Sequence, residues 1–210
     1  LTQDATIQAL ASLAETRDDD TGAHLRRTQL YLKVLAQAFR LRPEGAELDE
    51  RTVDLMTKSA PLHDIGKVGI PDHILLKPGK LSEEEFAVIK QHPTLGKEAL
   101  QRAEEILGGT STFLRVASEI AYTHHEKWDG SGYPQGLAGR DIPLVGRLMA
   151  LADVYDALIS RRVYKPAYTH EKAVAIIVEG KGKHFDPYLV EIFLEQAEEF
   201  RAIAHRFREG

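Results

Sequence analysis

Imidazole and carboxylate side chains recur along the chain at positions that one buried site could bring together. They are Asp20, His24, His63, Asp64, His92, His124, His125 and Asp153. Clustered imidazole and carboxylate ligands without thiolate suit iron, manganese, cobalt, nickel or zinc, and the chain contains no cysteine. A centre with several such ions binds phosphate oxygens and activates water near neutral pH. The set therefore indicates a metal-dependent phosphoesterase.

The two aspartates in apolar surroundings are the strongest ligand candidates. Asp64 follows His63 within an apolar stretch, and Asp153 lies in the middle of a strongly apolar helical pattern. A buried carboxylate needs a compensating cation, which a metal ion supplies. Lys67 shares a face with His63 if their segment is helical. Its ammonium would then suit phosphate, as a fixed charge or a proton donor, and a simple salt bridge is the alternative.

Three histidines are expected at the ends of predicted elements. His92 precedes Pro93, and proline disfavours helical geometry in the preceding residue, so His92 is expected to point into the site from a junction. His124 and His125 follow a helical pattern that ends where a glycine-rich stretch begins. Ligands at such an end leave coordination positions open to substrate. A capping or surface pair is the alternative interpretation for these two residues.

Two further carboxylates extend the set. Asp20 and His24 are spaced i, i+4 and share a face if the helix extends through both, and a solvated acidic turn is the alternative for Asp20. Asp156 follows Asp153 by about one helical turn. We interpret Asp156 as a residue that could orient a ligand histidine through a hydrogen bond.

The periodicity of apolar residues predicts helices along almost the whole chain. Representative stripes are Leu32, Leu35 and Phe39, and Leu148, Met149, Ala152 and Tyr155. Ser82 and Glu85 predict a capping box, and Asp186 before Pro187 predicts a helix start. Residues 128–143 lack a helical pattern, and their glycines and prolines alternate with apolar and aromatic residues. We predict an all-α domain with one long ordered loop.

Composition places further bounds on the function. The 210 residues fit one domain, and the net charge of −5 argues against a general DNA-binding surface. The chain has no apolar run long enough for a membrane span and no signal-peptide pattern, and the lack of cysteine fits a reducing cytoplasm. Because it begins at Leu1, we expect a piece of a longer protein. Residues 1–14 would end a connecting helix from a missing N-terminal module, and residues 11–210 would form the catalytic domain.

Five stretches in order resemble the HD-GYP family, a branch of the HD superfamily of metal-dependent phosphohydrolases. They are 20–24 (DTGAH), 60–67 (APLHDIGK), 124–134 (HHE through DGSGYP), 152–158 (ADVYDAL) and 185–187 (FDP). Each stretch alone is weak, whereas their joint order is a strong signal. The resemblance implies an HD-superfamily helical bundle with the glycine- and proline-rich GYP loop beside the metal site. It also implies hydrolysis of the bacterial second messenger cyclic di-GMP to pGpG, GMP or both.

The resemblance also implies roles for individual residues. The ligands of two divalent ions, iron or manganese first and nickel, cobalt or zinc as alternatives, would be His24, His63, Asp64, His92, His124, His125 and Asp153. Asp64 would bridge the two ions, and Lys67 would contact the scissile phosphate. Arg162 and Lys165 would grip substrate phosphates, and Tyr133 would shape the loop at the substrate. The resemblance links this loop to GGDEF-type cyclase domains, the missing module is expected to be a receiver or sensor domain, and homodimer formation is left open.

Two positions depart from the family pattern. Asp20 stands where members with three metals have a glutamate, and its shorter arm weakens a third ion. We therefore expect two ions and leave a third open. Val163 replaces the proline that usually follows Arg162, which loosens the placement of Arg162 and Lys165.

Three other functions remain open from the sequence. One is an HD phosphohydrolase that acts on another cyclic or linear dinucleotide. The second is a non-catalytic cyclic di-GMP receptor, against which the complete ligand set argues. The third is a di-iron oxygenase, which is disfavoured because Lys67, Arg162 and Lys165 suit phosphate better.

Overall fold

The computed structural model describes residues 2–15, 22–160 and 167–207. These residues form helices joined by loops: α1 Thr2–Glu15, α2 Gly22–Arg40, α3 Glu50–Ser59, α4 Asp72–Leu75, α5 Glu83–Ile89, α6 His92–Ile106, α7 Thr112–Thr123, α8 Leu144–Ile159, α9 His170–Glu179, α10 Pro187–Glu195 and α11 Ala197–Arg206. Short 3-10 turns cover Pro43–Gly45, Ala60–Leu62, Ile65–Gly69 and Gly139–Asp141. The prediction of an all-α fold is confirmed.

Helices α2 and α8 pack against each other at the centre of the bundle. Leu148 and Tyr155 of α8 are completely buried with Leu32 and Leu35 of α2 in the main core. Helix α8 carries apolar residues on nearly all sides, as expected for a helix surrounded by others. A polar side chain on α2 or α8 that points inward is therefore held in a rigid, water-poor setting.

A second, smaller core joins α1 to the rest of the chain. Ile7 and Ala11 of α1 are buried with Leu25, Leu62 and Ala117. The proposed link of residues 1–14 to a further module stays a prediction. Among the described helices, none combines the length and apolar content that a membrane span requires.

The segment from residue 60 to residue 69 differs from a continuous helix. Two 3-10 turns, Ala60–Leu62 and Ile65–Gly69, are separated by His63 and Asp64. A single helix through His63 and Lys67, the condition for the two to share a helical face, is therefore not formed. The Lys67 ammonium lies 2.7 Å from Asp64 Oδ2. The tight turns allow this segment to lie against the start of α6, where an added Cβ on Gly66 would come within 2.0 Å of the His92 carbonyl oxygen.

Replacement of Gly66 by alanine is expected to destabilise the fold by roughly 2–3 kcal/mol, because its methyl group would overlap rigid backbone. Gly69 offers a matched control in the same turn, since an added Cβ there meets only the flexible Leu95 side chain at 2.9 Å. Urea unfolding of both variants measures the difference. Equal stabilities for Gly66→Ala and Gly69→Ala would contradict the close-contact argument.

The long loop between α7 and α8 is ordered and is held by hydrogen bonds to its own turns and to a distant turn. The buried Glu126 carboxylate accepts from the backbone nitrogens of Gln135 at 2.7 Å and Leu137 at 3.0 Å. The Trp128 backbone nitrogen donates to the His184 carbonyl at 3.1 Å. The loop is thereby fixed over the end of α7, where His124 and His125 lie.

Candidate metal centre

Two groups of potential ligands meet in the interior beside this loop. The first cluster contains Asp64, His92, His124 and His125, and the second cluster contains His24, His63 and Asp153. Within each cluster the ligand atoms lie within 4.8 Å of one another. The five elements or junctions that supply them span residues 24–153, so the site exists only in the folded chain.

Three of the histidines, His63, His92 and His124, are held by hydrogen bonds from one ring nitrogen to backbone carbonyls. His63 Nδ1 lies 3.0 Å from the Ala60 oxygen, and His92 Nδ1 lies 2.7 Å from the Ile89 oxygen. His124 Nδ1 lies 3.1 Å from the carbonyl oxygens of residues 120 and 121. A carbonyl only accepts, so Nδ1 carries the hydrogen and Nε2 presents its lone pair to the site. This is the tautomer that a metal ligand requires.

Asp64 lies between the two clusters and faces both. Its Oδ1 is 3.1 Å from His92 Nε2 and 3.4 Å from His124 Nε2. Its Oδ2 is 3.4 Å from His63 Nε2. The two oxygens of one carboxylate therefore point at different groups of imidazoles, which is the arrangement of a carboxylate that bridges two cations.

The atoms of this site fit divalent metal ions. Among the described residues, His63 Nε2, His92 Nε2, His124 Nε2 and Asp64 Oδ1 are buried and make no hydrogen bond. Buried polar atoms almost always have a hydrogen-bond partner, whereas here the acceptor lone pairs of these four atoms face one another. Ligands 2.0–2.2 Å from a common ion lie about 3–3.5 Å apart, close to the separations around Asp64. A cation in each cluster would satisfy these acceptors.

The electrostatics of the site favour added positive charge. Burial would raise the pKa of Asp64, but Lys67 and His63 outweigh this effect and hold that pKa well below its usual range. Burial would lower the pKa of His63, but its neighbouring carboxylates raise it overall. Burial lowers the pKa of His124 and, together with nearby histidines, lowers that of His125 further. The carboxylate is thus ionised, and the last two imidazoles are in the neutral form that binds metal.

A buried ion pair supports the second cluster from behind. His24 Nδ1 lies 2.8 Å from Asp156 Oδ2, and Asp156 has no exposed surface. The guanidinium of Arg27 donates to both oxygens of this carboxylate, at 2.6 Å and 2.9 Å. The hydrogen bond that His24 Nδ1 donates to Asp156 turns His24 Nε2 toward Asp153 Oδ1, 3.8 Å away. Asp156 thus holds His24 as the sequence interpretation suggested for a ligand histidine.

One side of the centre is less enclosed than the rest. The side chains of Lys67 and Asp153 remain 15% and 20% exposed, whereas His63 is completely buried. Tyr133 stacks on His125, with ring centroids 4.8 Å apart and planes inclined by 25°. The rim of the site is therefore formed by Lys67, Asp153 and the aromatic ring of the loop.

Most of the sequence-predicted residues converge here. The structure brings together His24, His63, Asp64, His92, His124, His125 and Asp153, with Lys67 and Tyr133 at the rim. Asp20, Arg162 and Lys165 lie outside the described residues. Sequence reasoning missed the structural roles of Arg27 and Glu126. Glu126 adjoins the His124–His125 pair, which was an available signal, whereas the partner of Arg27 is 129 residues away.

Comparison with known proteins agrees with this geometry. Residues 7–189 match the HD domain family. Over all 210 of its residues the chain is 61% identical to a cyclic di-GMP phosphodiesterase from Vibrio cholerae serotype O1, of which it spans 42%. It is 46% identical, over 94% of its length, to 3'3'-cGAMP-specific phosphodiesterase 2 of the same organism, of which it spans 35%. The chain thus spans less than half the length of these curated relatives.

A solved structure shares the fold. Bd1817, a HDG"Y"P protein from Bdellovibrio bacteriovorus, matches 87% of this chain with a TM-score of 0.58 and 22% identity, and the match covers 54% of that protein. The family match includes every described candidate ligand, and such membership implies divalent metal binding. From the match, the ligand clusters and the relatives together, the chain belongs to the HD domain family, within its HD-GYP branch.

Proposed function

We propose that this chain is a metal-dependent phosphodiesterase that hydrolyses cyclic di-GMP to pGpG, GMP or both. The observation that carries the proposal is the Asp64 carboxylate, whose two oxygens face two separate ligand clusters with the Lys67 ammonium alongside. Paired cations beside a lysine suit the charges of a phosphodiester. The 61% identity to a protein named cyclic di-GMP phosphodiesterase supports the choice of substrate.

The two clusters would each hold one ion, with iron or manganese as the first choice and nickel, cobalt or zinc as alternatives. Bound there, the ions would supply Lewis acidity toward phosphate oxygens and lower the pKa of water. Asp64 would serve both clusters, while His92, His124 and His125 complete one and His24, His63 and Asp153 the other. A third ion through Asp20 stays a prediction.

The protein's own side chains would bind and orient the substrate at the rim. The Lys67 ammonium, 2.7 Å from Asp64 Oδ2, would lie beside the scissile phosphate and offset charge that develops in the transition state. Lys67 could also deliver a proton to the leaving 3'-oxygen. Tyr133 would bound the substrate on the loop side, and Arg162 and Lys165 are proposed to hold its phosphates.

The first experiment is to strip the protein of metal, reload it anaerobically with Fe(II) or Mn(II), and add cyclic di-GMP. We expect metal-dependent formation of pGpG or GMP, resolved by chromatography. A matched reaction with 3'3'-cGAMP tests the second candidate substrate, which the 46% identity to a protein named for that substrate favours. Bound metal with both nucleotides intact would overturn the proposal and favour the receptor function.

Replacement of Lys67 by methionine is expected to lower kcat for cyclic di-GMP by about a hundredfold, the lower end of the effect of a general acid. The metal content should be retained, because Lys67 is not a proposed ligand. Lys58, which pairs with Asp54 on the surface, provides the control variant Lys58→Met. An unchanged kcat in Lys67→Met, with metal bound, would contradict the assigned role.

The remaining partners are proposed on the same basis. The loop that carries Tyr133 would contact a GGDEF-type cyclase domain, and α1 would continue toward a receiver or sensor module. Cytoplasmic location and homodimer formation are further predictions of the family resemblance. Co-purification of the chain with a cyclase domain, compared with a Tyr133→Ala variant, tests the first of them.

A further inference from the structure

Phe86 is an exposed aromatic residue beside the rim of the metal centre. It lies on α5, and 45% of its surface is accessible to solvent. Single exposed apolar residues are common and need no explanation by themselves. Phe86 differs because its ring contacts Tyr133, which itself covers a proposed ligand.

A series of ring contacts connects Phe86 to the first cluster. The ring centroids of His124 and His125 are 4.0 Å apart, and those of His125 and Tyr133 are 4.8 Å apart. The Phe86 centroid is 6.4 Å from that of Tyr133, and the two planes are inclined by 81°. Phe86 and Tyr133 therefore form a corner of two nearly perpendicular aromatic rings, which we call the aromatic corner. The Tyr133 ring alone lies between Phe86 and the ligand His125. In a nucleotide, one ribose likewise lies between the base and its phosphate.

The position of the aromatic corner is tied to the metal ligands. Helix α5 ends at Ile89, whose carbonyl oxygen lies 2.7 Å from His92 Nδ1. The start of α5 is fixed by a capping box between Ser82 and Glu85. The Glu85 carboxylate also pairs with Lys77 at 2.7 Å. Phe86 is thus presented on a capped helix whose other end orients a ligand, which favours preorganised binding.

A positive charge lies at the same corner. The Lys90 ammonium is 5.3 Å from the Phe86 ring centroid, one helical turn further along the chain. Guanine presents two hydrogen-bond acceptors, O6 and N7, on one edge, whereas adenine presents N7 beside an amino donor. An ammonium group next to an aromatic surface therefore suits guanine better than adenine.

We propose that Phe86 and Lys90, together with Tyr133, bind a guanine base of the nucleotide whose phosphate lies on the metal centre. The base stacks in the aromatic corner, and Lys90 donates to its O6 and N7 edge. This inference rests on the proposed function for the position of the phosphate. Phe86 and Lys90 thereby become specificity-determining residues.

The test compares two ligands that share a phosphate but differ in the base. The dissociation constants of GMP and of ribose 5-phosphate are measured by calorimetry on the Mn(II)-loaded protein. Their ratio reports the contribution of the base and cancels effects on the metal centre. Phe86→Ala is expected to reduce this ratio about tenfold, within the range for loss of one stacked base. Phe86→Trp should keep it, and Lys90→Met should reduce the preference for GMP over AMP about tenfold.

Ile106→Ala is the matched control, since Ile106 is an exposed apolar residue at the opposite end of α6 from His92. The inference would be overturned if the ratio of the two dissociation constants were the same for Phe86→Ala as for Ile106→Ala. It would also be overturned if this ratio were near one for the wild-type protein. The proposed function fails separately, if wild-type protein binds GMP with a clear base contribution but leaves cyclic di-GMP intact.

Discussion

Replacing Asp64 with asparagine is expected to remove metal binding and to lower the proposed cyclic di-GMP hydrolysis by at least roughly a thousandfold, the value of several kcal/mol of metal-ion catalysis. Asparagine keeps the shape of the side chain, but its amide nitrogen is a donor and cannot face a cation. Asp64 Oδ1 faces His92 and His124, and Oδ2 faces His63. Both clusters lose the negative charge of Asp64, and whichever way the amide turns, one cluster faces its nitrogen in place of an oxygen.

The measurement combines metal analysis, turnover and thermal unfolding. Metal that binds only the folded protein stabilises it by about 4 kcal/mol at a thousand times the dissociation constant. Wild-type protein should therefore melt at a higher temperature with Mn(II) than without it, and Asp64→Asn should lose this increase. The surface variant Asp54→Asn, whose side chain is 59% exposed, serves as the control. Asp64→Asn protein that keeps two ions per chain would refute the bridging role.

The fold and most of the site were predictable because local patterns coincide with tertiary ones. Asp153 interrupts a strongly apolar helical pattern, so a partner for its carboxylate was expected, and His24 Nε2 and His63 Nε2 lie 3.8 Å and 3.9 Å from its Oδ1. His124 lies at the C-terminal end of α7, where the glycine-rich loop begins, as the break in periodicity predicted. The capping box at Ser82 and the helix start at Asp186 also occur as predicted.

The parts that could not be predicted depend on contacts distant in sequence. Periodicity cannot distinguish a helix from the 3-10 turns around His63 and Asp64, because the turns are stabilised by close packing of Gly66 on α6. In the sequence, Arg27 resembles an ordinary cation on a helix surface, and only the fold shows that it pairs with Asp156. Phe86 directly follows the capping box in the sequence, and only the position of Tyr133 in the fold shows which ring it meets.

Asp156→Ala is expected to destabilise the metal-free protein by about 3–5 kcal/mol, since it removes a buried carboxylate that accepts two hydrogen bonds from the buried Arg27 guanidinium. Arg27 is almost fully buried, and its further bonds to the Phe207 carbonyl and the Ser160 hydroxyl are to neutral groups. His24 Nδ1 would lose its hydrogen bond to Asp156 in the same step. Urea unfolding measures the loss, with Asp54→Ala in an exposed pair as a control expected to cost less than about 1 kcal/mol.

A double variant separates the stabilising role of Asp156 from its role toward the metal. Arg27→Met with Asp156→Leu removes both charges and fills the space with apolar atoms, so stability should return close to the wild-type value. That variant lacks the carboxylate that accepts from His24 Nδ1 in the wild type, so the affinity of the second cluster for Mn(II) should still fall about 10- to 100-fold. Metal titration of the folded double variant measures this affinity. If the double variant binds Mn(II) as tightly as the wild type, Asp156 acts only as a partner of Arg27. If one ion binds more weakly while the other binds as in the wild type, Asp156 also orients His24 for the second cluster.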